Sequence, residues 1–410
     1  MLGLRVAMLR KRKKLLQKDL ARGIISVSHL SNFEKGRYNI GNDIFLLLSE
    51  KLEVPSDYLL KYSENNPDLD MKLWNVFKGI VLKTYDINLF ENSKYNIINN
   101  LDLEISYFLL KASIHYKINK LDECKEIELN YLNFYLEYLI ENQKSLSINL
   151  QIYLDYYLGI KAYANNNFKK SGIHFKKLST LVTDIKLKSV FLYDLALIHY
   201  KIPQYYLAME YANKAVIQYN EMQEWEKIAE IHIFKSVIYE EENLIEEAFI
   251  QLNKAENISE NMNIKELKGI IYHNKGVIYE KVNHFHLAEK NYLASLNFKN
   301  AKNSYTTLIA LVEIYLKTEN YTELKKIFKK TLNIITNPYE LHKLNTFHAE
   351  INFKEGNIEK FLKTLKCSLD FFEKNGFSED AKKTALRLGE YFYEVRQYKS
   401  SAFYFKKILL

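Results

Sequence analysis

The chain has 410 residues, 48% of them apolar, which supplies material for a buried core and excludes a disordered chain. Only 4 prolines and 12 glycines interrupt it, too few for the dense turns of a sheet protein, so long helices with tight connections are expected. The formal charge of +8 is concentrated: residues 1–60 hold 11 Lys and Arg against 6 Asp and Glu, net +5, and the remaining residues hold 47 against 44, net +3.

Such a local excess suits a polyanionic partner and equally a solvated face. The two cysteines, Cys124 and Cys367, make a poor staple for this length and read as thiols of a reducing compartment. No apolar run reaches the roughly 18 residues of a membrane span. The opening MLGLRVAMLRKRKKL carries arginines inside its apolar stretch and no small-residue cleavage site, so it is not a secretory signal. A soluble, cytoplasmic protein that makes no use of a membrane is expected.

In chain order, the pattern predicts helices over Leu4–Leu15 and Gln17–Arg22, then a tight turn at Gly23. Ser26 caps a third helix through Phe33, which Gly36 ends. A fourth runs over Asn42–Leu52, and Pro55-Ser-Asp-Tyr opens a fifth. Two short helices joined by a small-residue turn inside a five-helix unit follow the helix-turn-helix plan. LRKRKKLLQKDLARGIISVSHLSNFEKGRYNIGNDIFLLLSEKLEV resembles the lambda-repressor-like (Xre-type) domain. The resemblance implies an ion pair between Arg10 and Glu34, a phosphate beside Gln17, and base edges facing Val27, Ser28 and Asn32. Ser26 and His29 would lie near the DNA backbone, with Lys35 and Arg37 as phosphate contacts. Ser28 and Asn32 are one helical turn apart, on one face, and both carry donors and acceptors suited to base edges, while Val27 suits a thymine methyl. Leu16 stands where that family places a capping threonine, and Ile40-Gly41 where it places Pro-Ser. The basic run Arg10–Lys14 reads as a solvated face or a set of phosphate contacts.

KYSENNPDLD, residues 61–70, is polar and holds a proline, so a linker is placed at 63–71, between residues 1–62 and 72–410. Beyond it the chain repeats itself. LALIHYKIPQYYLAMEYANKAV, KSVIYEEENLIEEAFIQLNKAE and KGVIYEKVNHFHLAEKNYLASL align with Ala208, Ala248 and Ala288 at a spacing of 40 and with Ala196, Ser236 and Gly276 twelve residues earlier. Antiparallel helices cross tightly only where small side chains meet. The same register reaches outward through Ala112/Cys124, Gly159/Ser171, Val312/Leu324, Ala349/Phe361 and Gly389/Ser401, and residues 72–100 add a degenerate pair. This resembles a lengthened tetratricopeptide repeat. The expected fold is all-α: an N-terminal helix-turn-helix domain, then a right-handed superhelix of about eight or nine helix pairs whose first helices line a concave groove.

No HExxH, GxxxxGK[ST], CxxC or GxSxG motif occurs. His284 and His286 lie at a turn without a nearby carboxylate partner, and the Glu pairs read as solvated faces. Catalysis by this chain alone is not expected, and neither cofactor nor metal is implied.

A helix-turn-helix reader followed by such an array resembles the RRNPP family of peptide-responsive quorum-sensing regulators, in particular its PlcR- and NprR-like members. That resemblance implies a homodimer that binds double-stranded DNA at an inverted-repeat operator and a short signalling oligopeptide in the groove. The family often places an Asn two residues before the small residue of a first helix. Asn274 matches it, and Asp194 takes the equivalent place. An amide there can pair with both N–H and C=O of a ligand backbone. The register puts Tyr156, Tyr163, Tyr193, Tyr200, His273 and Glu280 on the same side, with Glu313 and Glu350 farther along, which would suit a positively charged ligand group. Two other readings are an adaptor that sequesters a response regulator and a helical scaffold with an inactive DNA module.

Overall fold

The computed structural model describes residues 1–84, 98–335 and 337–408. No strand occurs among them, as the scarcity of turn residues implied. The chain forms two compact units, Met1–Glu224 and Trp225–Leu410, and the expected boundary near residue 62 falls inside the first.

The first unit opens with α1 (Leu2–Arg12), α2 (Gln17–Ala21), α3 (Val27–Glu34), α4 (Asn42–Lys51) and α5 (Ser56–Leu60). α1 stops short of Leu15 because Lys14 takes a left-handed conformation (φ 57°) and the Leu15 N–H turns back to the Arg10 carbonyl at 3.0 Å. Leu2, Val6, Leu20, Leu30, Phe33, Phe45 and Leu48 form a small core. α1 can cross α3 only because residue 3 is glycine: a Cβ there would stand 2.0 Å from the Phe33 carbonyl oxygen. The capping loss at Leu16 is half repaired, since the Asp19 carboxylate accepts the Leu16 N–H at 3.2 Å.

The other face of α1 belongs to a second core. Met8 is fully buried there with Leu73 and Phe77 of α6 (Pro67–Leu82) and with Ile105, Tyr131 and Tyr135. The expected linker is therefore helical from Pro67 onward, with Asn66 capping the Leu69 N–H at 3.1 Å. The second helix of the degenerate pair expected over 72–100 falls largely on residues 85–97, outside the described residues. At the seam between the two cores lies Arg5, wholly buried. It donates to the carbonyls of Tyr58 (2.7 Å) and Asn99 (2.6 Å) and to the Glu104 carboxylate (2.6 Å). Glu104 also accepts from the hydroxyls of Tyr58 and Tyr131.

Eight helix pairs follow among the described residues: 101–117 with 121–130, 148–164 with 168–181 and 185–201 with 205–221 in the first unit, then 225–241 with 245–261, 265–281 with 285–296, 301–317 with 321–332, 338–354 with 358–374 and 378–394 with 398–408 in the second. Both residues of every pair in the predicted register are buried. A Cβ on Gly159, Gly276 or Gly389 would come within 2.9 Å of the ring of Phe175, 2.5 Å of Tyr292 or 2.6 Å of Phe405, each sixteen residues on. Where the second small residue is a serine, its hydroxyl donates back to the glycine carbonyl, Ser171 to Gly159 (3.0 Å) and Ser401 to Gly389 (2.9 Å). Seven residues after the small position, Asn119, Asn166, Asn243, Asn283 and Gly356 make the left-handed turn into the second helix, a conformation those residue types accept most readily.

Two stability changes are expected. Glu104→Ala leaves the Arg5 charge buried without its counter-ion and should cost about 3–5 kcal/mol in urea denaturation of the full chain. Leu16→Thr supplies the missing cap at an exposed position and should stabilise by about 1 kcal/mol. A loss below 1 kcal/mol for Glu104→Ala would mean that water reaches Arg5.

Candidate DNA-reading face and ligand walls

α3 is placed by its ends and by its back. The Ser26 hydroxyl accepts the His29 N–H at 3.2 Å. At the other end Gly36 (φ 71°) lets its own N–H reach the Phe33 carbonyl at 2.8 Å and the Arg37 N–H reach that of Asn32 at 2.9 Å, a closure that fixes where Lys35 and Arg37 emerge. From behind, Arg10 grips Glu34 with two parallel bonds of 2.7 and 2.8 Å, the pair the sequence implied. The Gln17 amide donates to the same carboxylate at 2.7 Å, so its side chain serves this junction.

The outward face carries Ser26, Val27, Ser28 and His29, all exposed, then half-buried Asn32 and exposed Lys35 and Arg37. The Ser26 and Ser28 hydroxyls lie 3.1 Å apart. Tyr38, which the sequence reading passed over, stands edge-on to His29 at 5.9 Å between centroids. The basic run is mostly committed elsewhere. Arg10 holds Glu34, Lys13 pairs with Glu53, and Lys11 lies over the Phe134 ring at 5.3 Å.

In the first unit the expected wall is partly covered. α6 lies against it, with Phe77 5.3 Å from both Tyr153 and Tyr156. Tyr156 is consequently buried and presents no surface. Its hydroxyl stands 3.3 Å from the Lys117 amine, which also donates to the Ile80 carbonyl at 3.0 Å. Tyr163 is exposed against Phe168 at 5.2 Å. Tyr193 and Tyr200 are half-buried, the latter beside Tyr205 at 5.9 Å. Asp194 is the chemically unusual member. Burial pushes its carboxyl up to about 6 from an ordinary 3.8, against the pull of Lys117 and Lys83.

In the second unit Asn274 is half-buried on helix 265–281, beside the crossing at Gly276. His273 accepts or donates to Thr307 at 3.1 Å. Two of the three acidic residues there are already neutralised from within. Glu280 takes the Tyr292 hydroxyl (2.9 Å) and the Lys317 amine (2.7 Å), and Glu350 is held by Arg387 at 2.9 and 3.1 Å. Glu313 is half-buried, and burial raises its carboxyl. It lines a cavity of about 350 Å³ with Lys343, Phe347, Glu350, Phe372 and Arg387. The acidic residues expected to suit a positively charged ligand group are thus partly occupied from within: Glu280 and Glu350 are each held by a cation from the first helix of the next pair. Arg387 was legible in principle, since it stands two residues before Gly389, the place Asn274 holds before Gly276.

No described helix is long and apolar enough to cross a membrane. A family model described as Helix-turn-helix matches residues 6–59. Over 94% of this chain and 97% of the relative, the sequence is 23% identical to the transcriptional activator NprA of Geobacillus stearothermophilus. It is also 23% identical to response regulator aspartate phosphatase I of Bacillus subtilis, over 84% of this chain and 88% of that one. Among solved structures, the apo form of the quorum sensor NprR from B. thuringiensis superposes with a TM-score of 0.63 at 18% identity, covering 84% of this chain and 98% of that one. NprR in complex with its cognate peptide NprX gives 0.56 at 18%, covering 83% and 98%. These likenesses bear out the resemblance to the RRNPP regulators and the helix-pair fold.

The Asp194 environment sets a pH dependence with a defined sign. A folded-state pKa above the unfolded one means that ionising the group opposes folding, so the cost is absent below about pH 4 and complete above about pH 6. Asp194→Asn should therefore be more stable than the parent at pH 7, with the advantage shrinking to nothing between pH 6 and pH 4 in denaturant titrations. A pH-independent difference would place the carboxyl in water.

Proposed function

We propose that the protein is a cytoplasmic, homodimeric transcription regulator that reads an inverted-repeat operator with α3 and is switched by a short oligopeptide held against the first helices of its repeats. The observation that carries this reading is the pairing of an outward polar face at Ser26–Arg37 with a shared core behind it. α1 packs on α3 through Gly3 and on the repeats through Met8, so a rearrangement of the repeats has a solid path to the DNA-reading face. The names of the relatives agree: one is a transcriptional activator, and another a quorum sensor with a cognate peptide.

In this mechanism Ser28 and Asn32 pair with base edges, Val27 meets an apolar base group, and Lys35 and Arg37 hold phosphates while Gln17 braces Glu34. A dimer brings two such faces to two half-sites, which is why the operator should be an inverted repeat. The candidate peptide contacts are Asp194, flanked by Tyr163, Tyr193 and Tyr200, in the first unit, and Asn274, flanked by His273, in the second. Catalysis has no part in this reading.

The likeness to response regulator aspartate phosphatase I supports a second reading, in which the repeats hold a response regulator. Retention of a purified response regulator by the full chain carrying Asn32→Ala and Arg37→Ala would favour it. For the main reading, Asn32→Ala should lose discrimination at one base position, worth about 1–3 kcal/mol, in binding to a selected operator. Arg37→Ala should weaken all sequences alike and flatten the salt dependence. An unchanged sequence profile for Asn32→Ala would put the register of α3 in error.

A further inference from the structure

We propose that Lys299, with Thr307 and His273, forms a carboxylate-binding subsite in the second unit, taking one carboxyl group of the oligopeptide. This rests on the peptide reading above and adds to it a place and a charge. Lys299 lies in the connection between helices 285–296 and 301–317. Its stem is seated in a slot: a Cβ on Gly269 would stand 2.9 Å from the Lys299 Cγ. Its amine donates to the Thr307 hydroxyl at 2.8 Å. Thr307 is fully buried, and its oxygen lies 3.1 Å from His273 Nδ1 and 3.3 Å from the Ser295 hydroxyl. Ser295 in turn donates to the Gly269 carbonyl at 2.5 Å.

What this network lacks is an anion. Half-buried Lys275, on the neighbouring helix 265–281, has one: it meets Glu256 at 2.7 Å. Among the described residues, no carboxylate stands within ion-pair distance of Lys299. Burial lowers its amine to about 8 from 10.5, the direction expected of an ammonium without a counter-charge. The neighbouring imidazole adds no second charge. Burial first, then Lys299, pushes His273 down to about 4, so it is neutral at pH 7. Ser295 spends its hydrogen on Gly269, so the Thr307 hydrogen can go to the Ser295 oxygen or to Nδ1, and the two choices put the His273 hydrogen on Nδ1 or on Nε2. The site therefore presents one positive charge and two ammonium hydrogens not spent on Thr307. One monoanion with two oxygens matches that inventory. A phosphate dianion would leave a charge unbalanced.

A peptide can bring such a group as its free C-terminus or as an Asp or Glu side chain. The test exposes the immobilised full chain to pooled random heptapeptides, either as free acids or as C-terminal amides, and reads the retained peptides by mass spectrometry. The parent should retain free acids. Lys299→Met and Lys299→Gln should retain at least tenfold less, with helical content unchanged by circular dichroism, and Lys299→Arg should keep most of the capture. Loss of capture on amidation assigns the terminal carboxyl. Capture of amides enriched in Asp and Glu assigns a side chain. Equal capture by parent and Lys299→Met, or capture of amides with no acidic enrichment, overturns the subsite and leaves peptide binding standing. If the parent captures neither form, the peptide reading fails and takes the subsite with it.

Discussion

The docking of the N-terminal helices on the first repeat depends on one buried charge. The Arg5 guanidinium sits without solvent contact between the core of α1–α5 and the core of the first repeats, tied to Tyr58, Asn99 and Glu104. A buried ion pair adds little net stability over an apolar filling, but it is costly to break halfway. Its effect is therefore on geometry. It admits one docking of α1 on helix 101–117, because any other would strand a guanidinium, a carboxylate and the tyrosine hydroxyls on it. The second helix of that pair yields to the same demand. It stops at Asn130, and the break at Tyr131 brings that hydroxyl to Glu104.

The repeats were legible because close packing leaves a mark that a single sequence displays. Ala, Ser or Gly recurring twelve residues apart has few causes other than a helix crossing. The same spacing arithmetic would have found the turn asparagines at Asn119, Asn166, Asn243 and Asn283 and the rings opposite glycines at Phe175, Tyr292 and Phe405. These are rules of backbone conformation and volume that also repeat. α6 was misread in part as linker because Pro67 and the acidic residues around it resemble a break. Proline is well placed at the first position of a helix, and acidic residues suit its first turn, so the same letters mark a start.

The candidate site divides along the same line. The reading face of α3 depends on caps and on a helical period, both local, and it could be read from fifteen letters. The ligand walls depend on which partner each side chain finds across space. Glu280 and Glu350 look like bait for a cation until Lys317 and Arg387 are seen to hold them. Tyr156 looks like a groove residue until Phe77 covers it. Lys299 drew no notice because a lysine in a connection is ordinary. Its seat against Gly269 and Thr307, with no described carboxylate at ion-pair distance, is a matter of placement in space that no one-dimensional pattern shows.

The shared core of α1 also has a consequence in time. During synthesis Leu60 leaves the ribosome well ahead of Tyr131, and at about 5–20 residues per second that interval is on the order of seconds. Through it the N-terminal helices can gather their own small core, but Arg5 has no Glu104 and Met8 has no apolar neighbours from the repeats. A nascent or truncated N-terminal segment would thus show a sticky, charged seam where the finished protein is sealed. The N-terminal helices gain their fixed docking only once the first repeat has been made.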